Sequence, residues 1–306
     1  TAPGSKPTVI NTGAGDVIAL TGDNTHITGL LIDGNSNGDD GIDGGSSNKT
    51  NIAITQNMIQ NTGDINAPIV PGKGRGVEFD TDAIDITVSG NTILNTNWDG
   101  VFFDTDAIDI TVSGNTISNI ELGSGVTIRD KGTGITVSGN TISNAISGAA
   151  LIIAGQNEYV TVSGNTISDV ISGSGMSFYS FTRYLTISGN TISNVGGTGI
   201  SGSNNNYMTT ISGNTISNVE YDGVYIGHHS IATVSGNTFT DIGSGGANDD
   251  VIEFNGTGNT LLPGSTGNVA TTAPHAGKLC NGNFTGTFEV TDHNGVLQTF
   301  VNGAGC

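Results

Sequence analysis

The sequence predicts an all-β fold, a parallel β-helix of about ten coils closed by a small C-terminal β cap. Two observations carry that expectation. The pentapeptide Ser-Gly-Asn-Thr-Ile stands at Ser89 to Ile93 and returns from Ser113, Ser138, Ser163, Ser188 and Ser212, with close variants from Ser235 and Thr257. Its glycines, from Gly90 to Gly258, follow one another at steps of 24, 25, 25, 25, 24, 23 and 22 residues, a period that marks a solenoid. Within each period apolar and polar residues alternate, so that Val77, Phe79, Ile86, Val88 and Ile93 face inward while Glu78, Thr87, Ser89 and Thr92 face outward. Three short strands with their turns fill such a period and leave no room for helical crossovers. Coils stacked about 4.8 Å apart give a rod of roughly 50 Å.

Taken in order, residues 1 to 34 open with a Pro/Gly-rich lead and then alternate through Val17, Ile18, Leu20, Ile27, Leu30 and Ile32, as irregular coils that cap the first strand edge. Asn57-Met58-Ile59 stands where Asn-Thr-Ile stands later. The 34 residues from Asn57 to Asn91 exceed the period and imply an insertion at Gln60 to Gly74, a protruding loop of the kind that carries function. From Gly76 the coils are regular. After Pro263 the period fails, and residues 283 to 303 read as a hairpin turning at His293-Asn294-Gly295. The expected division is therefore a solenoid over residues 1–265, its irregular first coils included, and a cap over 266–306.

The signature has a physical reading. Glycine takes the positive φ that the turn between two strands needs. The asparagine after it can bond its counterparts in the coils above and below, and the isoleucine enters the core. The run Ile110-Thr111-Val112-Ser113-Gly114-Asn115-Thr116-Ile117-Ser118-Asn119 resembles the parallel β-helix repeat of the pectate-lyase-like superfamily. That resemblance covers roughly residues 15 to 262. It implies a right-handed helix, shared by polysaccharide lyases and epimerases, phage tailspikes, and surface or autotransported passenger proteins.

Composition narrows the partners. The chain has 49 glycines, 11% charged residues and a formal net charge of −19. Nucleic acid is an unlikely ligand for so acidic a surface, since phosphate contacts need clustered Lys and Arg. No run of 18 apolar residues exists, so no membrane span is expected. The opening Thr1-Ala2-Pro3-Gly4 carries no leader pattern and reads as a processed start. The two cysteines, Cys280 and Cys306, sit near the C-terminus. Solenoids of this resemblance are commonly exported, and a disulfide between the two would tie down the end.

Candidate sites lie where the coils differ. Asp33, Asn35, Asn37 and Asp39 match the opening of a calcium loop, although Gly44 stands where such a loop needs a bidentate Glu. Coil alignment places Asp80 and Asp82 above Asp104 and Asp106, with Arg129 and Lys131 next in the same columns. The carboxylates then either pair with those two cations as a surface network or hold Ca2+. Tyr179, Phe181 and Arg183, then Tyr225, His228 and His229, follow along those columns and suit sugar stacking or a protein partner. His228 and His229, being adjacent in a strand, are expected to point opposite ways.

These readings favour an exported or cell-surface binding or passenger module, monomeric and adhesin-like. Its ligand would be a polysaccharide or a protein on a host or neighbouring cell. The alternative is a polysaccharide lyase or C5-epimerase acting on uronate polymers with calcium. There Arg129 or Lys131 would abstract the proton α to the uronate carboxylate.

Overall fold

The computed structural model describes residues 6–11, 13, 15–36, 39–46, 48–63, 73–245, 249–274 and 278–303. It is a parallel β-solenoid of about 11 turns, with no helix among the described residues. Each regular coil contributes three strands, which stack into three columns. The front column holds Val77–Thr81, Val101–Thr105, Val126–Ile128, Leu151–Ala154, Met176–Tyr179, Ile200–Ser203 and Val224–Ile226. The side column begins with His26–Thr28, Lys49–Thr55 and Ala83–Ser89, and the back column holds strands such as Thr92–Thr96 and Thr116–Ile120.

Register is set by identical residues. Phe79 lies beside Phe103, Thr87 beside Thr111 and Ile93 beside Ile117. A one-residue slip would turn every core side chain outward, so the apolar pattern and the register enforce each other. Val77, Phe79, Ile86, Val88 and Ile93 are all buried. The Phe79 and Phe103 rings stack 5.2 Å apart and nearly parallel inside the rod.

The signature does what its residues dictate. Gly90, Gly114, Gly139, Gly164, Gly189, Gly213 and Gly236 all sit at φ of 61 or 62°. Asn57, Asn91, Asn115, Asn140, Asn165, Asn190, Asn214, Asn237 and Asn268 form a buried ladder. Each up to Asn237 donates through its backbone N–H and its Nδ2 to the Oδ1 of the next, as Asn140 does to Asn165 at 2.9 Å. Nδ2 also donates to a main-chain carbonyl of the preceding coil, so both amide protons are satisfied in the dry interior. A second, exposed ladder joins Asn95, Asn119 and Asn144 through the other asparagine of the repeat.

Parallel pairing extends beyond the regular repeat at both ends. The first coils are regular enough to pair in parallel, Thr8–Ile10 with Leu31–Asp33 and Ile18–Ala19 with Ile42–Asp43. At the other end parallel pairing runs past residue 265. Asn268–Ala270 pairs with the back column, and Thr287–Thr291 pairs with Asn268–Ala270. Asn268 also keeps the interior ladder going, which explains why the coil survives after the pentapeptide has gone. Only Leu297–Val301 turns antiparallel, in the hairpin expected at His293-Asn294-Gly295. Cys280 is buried, while Cys306 and the expected disulfide lie outside the described residues. Most of the expected Gln60 to Gly74 insertion, residues 64–72, also lies outside them.

Candidate functional site

The outward side of the front column carries most of the chain's buried ionisable groups. Two positions recur in each coil. The corner position, two residues before the front strand, reads Asp16, Asp40, Arg75, Asp99, Ser124, Ala149, Ser174, Thr198, Asp222 and Asp250. The facing position, the second residue of the strand, runs from Asp43 through Glu78, Phe102, Thr127, Ile152, Ser177, Ser201 and Tyr225 to Glu253. Acids therefore gather at both ends of one face, with small or neutral residues between.

At the N-terminal end the acids are locked. Arg75 is buried, with its Nε 3.2 Å from Asp99 Oδ2 and its Nη1 on Glu78 Oε1. Its guanidinium lies 3.6 Å from the centroid of the Phe102 ring, which faces outward yet is buried under it. Asp99 also accepts from the Thr127 hydroxyl and the Ser124 N–H, and Asp40 accepts from the N–H groups of Gly74 and Arg75. Burial pushes Glu78 up to about 10, helped by the hydrogen bond and charge of Asp40, against the pull of Arg75. Glu78 and Asp40 thus share a proton at neutral pH.

At the C-terminal end the acids have no cation among them in the described residues. One carboxylate oxygen each from Asp222, Asp250 and Glu253 lies within 4.8 Å of the other two. Asp222 and Glu253 border a cavity of about 420 Å³, lined also by Thr198, Ser201, Tyr221, Tyr225 and Asp249, while Asp250 is buried behind them. Burial pushes Asp222 up to about 7, opposed by the Asp250 N–H at 2.8 Å and reinforced by Glu253, Asp250 and Asp249. Burial also raises Asp250, against hydrogen bonds from the Lys278 N–H and Asn281, and it raises Tyr225. Asp249 Oδ2 and Asp250 Oδ2 are buried without a hydrogen-bond partner. Among the described residues no arginine or lysine side chain makes an ion pair with this set.

The residues singled out from sequence fall partly together. Asp80 and Asp104 are neighbours across adjacent coils, and Asp80 hydrogen-bonds Glu78. Burial raises Asp104, against Arg129 and with Asp80. Lys131 stands 3.9 Å from Asp106, both well exposed. Arg129 lies beside the Phe102 ring at 5.2 Å and is exposed, so neither cation sits in a walled cleft. Asp82 and Asp106 occupy left-handed corner positions at φ of 49 and 58°. In the expected calcium loop, both oxygens of Asp33 are taken by the Asn35 N–H, Gln60 and Asn61, and Asp39 pairs with Lys73. These donors outweigh burial and lower Asp33. Asn37 lies outside the described residues.

The aromatic residues do not share one column. Tyr179 aligns with Arg129, whereas Tyr225 belongs with Glu78 and Glu253 in the acid-bearing position, and Arg183 begins a side strand beside Glu158. His228 and His229 sit in a turn rather than a strand, with His229 at φ 55°. Their rings therefore lie 6.3 Å apart at 26° instead of pointing opposite ways. The Thr257 N–H donates to His228 Nδ1 at 3.3 Å. A cavity of about 510 Å³ runs along the exposed asparagine ladder of the back column, and among its lining residues one side chain, Glu121, is ionisable. It offers no pair of groups to move a proton.

The right-handed beta helix region family matches residues 5–167 and 146–260. Among solved structures, the catalytic unit of a thermostable GH87 alpha-1,3-glucanase from Streptomyces thermodiastaticus superposes with a TM-score of 0.63 at 21% identity, over 83% of this chain and 50% of that one. The enzymatically active domain of bacteriophage CBA120 tailspike protein 2 gives 0.55 at 14% identity, over 84% and 43%. The DFA-IIIase of Arthrobacter chlorophenolicus in complex with GF2 gives 0.55 at 17%, over 80% and 64%. The chain thus spans about half the length of these structures. No curated protein matches it.

Proposed function

This chain belongs to the right-handed β-helix family, and on that premise we propose that it is an exported protein that binds and hydrolyses a polysaccharide at the C-terminal end of its front face. The observation that carries the reading is the carboxylate set Asp222, Asp250 and Glu253, of which Asp222 and Glu253 border a cavity with Tyr221, Tyr225 and Asp249. Hydrolysis needs a proton donor for the leaving oxygen and a carboxylate that draws a proton from water. Asp222, poised at about 7, is the donor, and a neighbouring carboxylate of the set is the base. The tyrosines supply ring surface and hydroxyls for a sugar. The similar structures include a glucanase and a tailspike's enzymatically active domain, which fits a glycan as substrate.

A net charge of −19 repels a polyanion, which favours a neutral polysaccharide over a uronate polymer. A lyase or epimerase built on Arg129 and Lys131 would place its base in open solvent. A second reading, an adhesin-like module that holds a glycan without turning it over, is supported by the regular Thr/Ser coils with short connections. One assay separates these. The protein is incubated with neutral and uronate polysaccharides, with calcium or with chelator, while reducing ends and ultraviolet absorbance are followed. New reducing ends without absorbance, abolished by Asp222→Asn and unchanged by chelator, support hydrolysis. Unsaturated products lost in Arg129→Ala or Lys131→Ala overturn it in favour of the lyase, and retention on glycan without products favours the adhesin.

A further inference from the structure

One position in the side column is left-handed in seven successive coils. It holds Asn51, Asp85, Asp109, Gly134, Tyr159, Tyr184 and Met208 in successive coils, at φ between 52 and 68°. Asparagine, aspartate and glycine suit that backbone, whereas a bulky side chain there is strained. Asparagine is also what the stacking itself favours, since Asn51 Nδ2 donates to Asn24 Oδ1 of the previous coil at 2.8 Å. Two consecutive coils nevertheless carry tyrosine. The rings stack at 4.8 Å and 4°, and they stand 59% and 47% exposed. Strain held in place without burial in return is a mark of function.

Around the pair the surface is built for a sugar. Phe181 is exposed, and with Gln156, Glu158 and Arg183 it lines a cavity of about 270 Å³. Arg183 is fixed by Glu158 at 3.3 Å. An aromatic face flanked by an amide, a carboxylate and a guanidinium matches the apolar ring face and the hydroxyl rim of a hexose. The coil of Met176–Tyr179 lies two steps from the coil of Val224–Ile226, about 10 Å along the rod at ~4.8 Å per coil.

We infer that Tyr159 and Tyr184 form an auxiliary binding platform for a neutral polysaccharide, which holds the chain as it runs along the rod toward the carboxylate set. The inference rests on the glycan reading above. It is tested by affinity electrophoresis in gels containing an α-1,3-glucan, dextran, pullulan or galactan, with the unfolding midpoint measured alongside. The double variant Tyr159→Asn/Tyr184→Asn should lose retention by about 10-fold or more while its midpoint rises by about 2–4 °C, because asparagine relieves the backbone. Tyr159→Phe/Tyr184→Phe should keep the retention of the wild type. Equal retention of the wild type and the asparagine variant, or a lowered midpoint in that variant, overturns the platform alone. Absence of wild-type retention in every gel overturns the glycan reading and the platform with it.

Discussion

The two ends of the front face occupy the same backbone positions and treat their acids in opposite ways. At one end Asp40, Glu78 and Asp99 surround Arg75, and the guanidinium is capped by Phe102. At the other end Asp222, Asp250 and Glu253 have no such cation among the described residues, and Asp222 and Glu253 face a cavity. A solenoid repeats its geometry, so the difference comes from side chains alone. Where the chain supplies a buried cation, the acids become part of the wall. Where it does not, oxygens of Asp249 and Asp250 stay without a hydrogen-bond partner, and Asp222 and Glu253 border a cavity.

The largest expected effect comes from breaking the locked end. Arg75→Ala strands the buried Asp99 carboxylate without its cation and should cost about 3–5 kcal/mol, seen as a lower urea midpoint. Lys278→Ala, beside the open end, should change stability by less than about 1 kcal/mol, because its side chain is exposed and makes no ion pair among the described residues. Similar losses from both would erase the distinction.

The pH dependence sharpens it. Glu78 and Asp222 are both raised in the folded chain, so each contributes stability at low pH that is lost as pH rises through its folded value. The windows differ: roughly 4.5 to 10 for Glu78 and 3.8 to 7 for Asp222. Glu78→Gln should therefore flatten the fall in stability between about pH 7 and 10, and Asp222→Asn the fall between about pH 4 and 7. Unfolding curves at a series of pH values check both. An unchanged slope in either window would show that the carboxyl is not held as described.

Much of this was legible in the sequence. The period, the glycine turns, the interior asparagine ladder and the inward Val77, Phe79, Ile86, Val88 and Ile93 follow from spacing and alternation alone. The second ladder at Asn95, Asn119 and Asn144 was present in the same repeat, but nothing in one dimension says that its position is left-handed. The acid sets were harder to find. Attention fell on Asp80, Asp82, Asp104 and Asp106 because their segment repeats unchanged. The corner and facing positions that unite Asp222, Asp250 and Glu253 differ from coil to coil, and the coil spanning Asp222 to Asp250 is longer than the regular period. Glu78 reads as an outward residue, and only Arg75, reaching across from the corner, shows that it is buried. The strain at Tyr159 and Tyr184 has no sequence signal beyond tyrosine standing where Asn and Asp stand elsewhere.

The smallest expected effect is that of metal. Chelator should shift the unfolding midpoint by less than about 1 °C. Three oxygens of the open set are already engaged: Glu253 by Asn255, Asp222 by the Asp250 N–H, and Asp250 by the Lys278 N–H. Calcium asks for six to eight oxygens. A chelator-induced drop of several degrees would instead make the carboxylate set a cation site.

The central claim is that one end of the face is structural and the other is catalytic. Turnover of a neutral polysaccharide by Glu78→Gln and Asp222→Asn, measured as reducing ends at equal folded concentration, tests it most directly. The account predicts that Glu78→Gln stays within about twofold of the wild type, while Asp222→Asn falls by about 100-fold or more. Equal losses in the two variants, or a loss confined to Glu78→Gln, would contradict it.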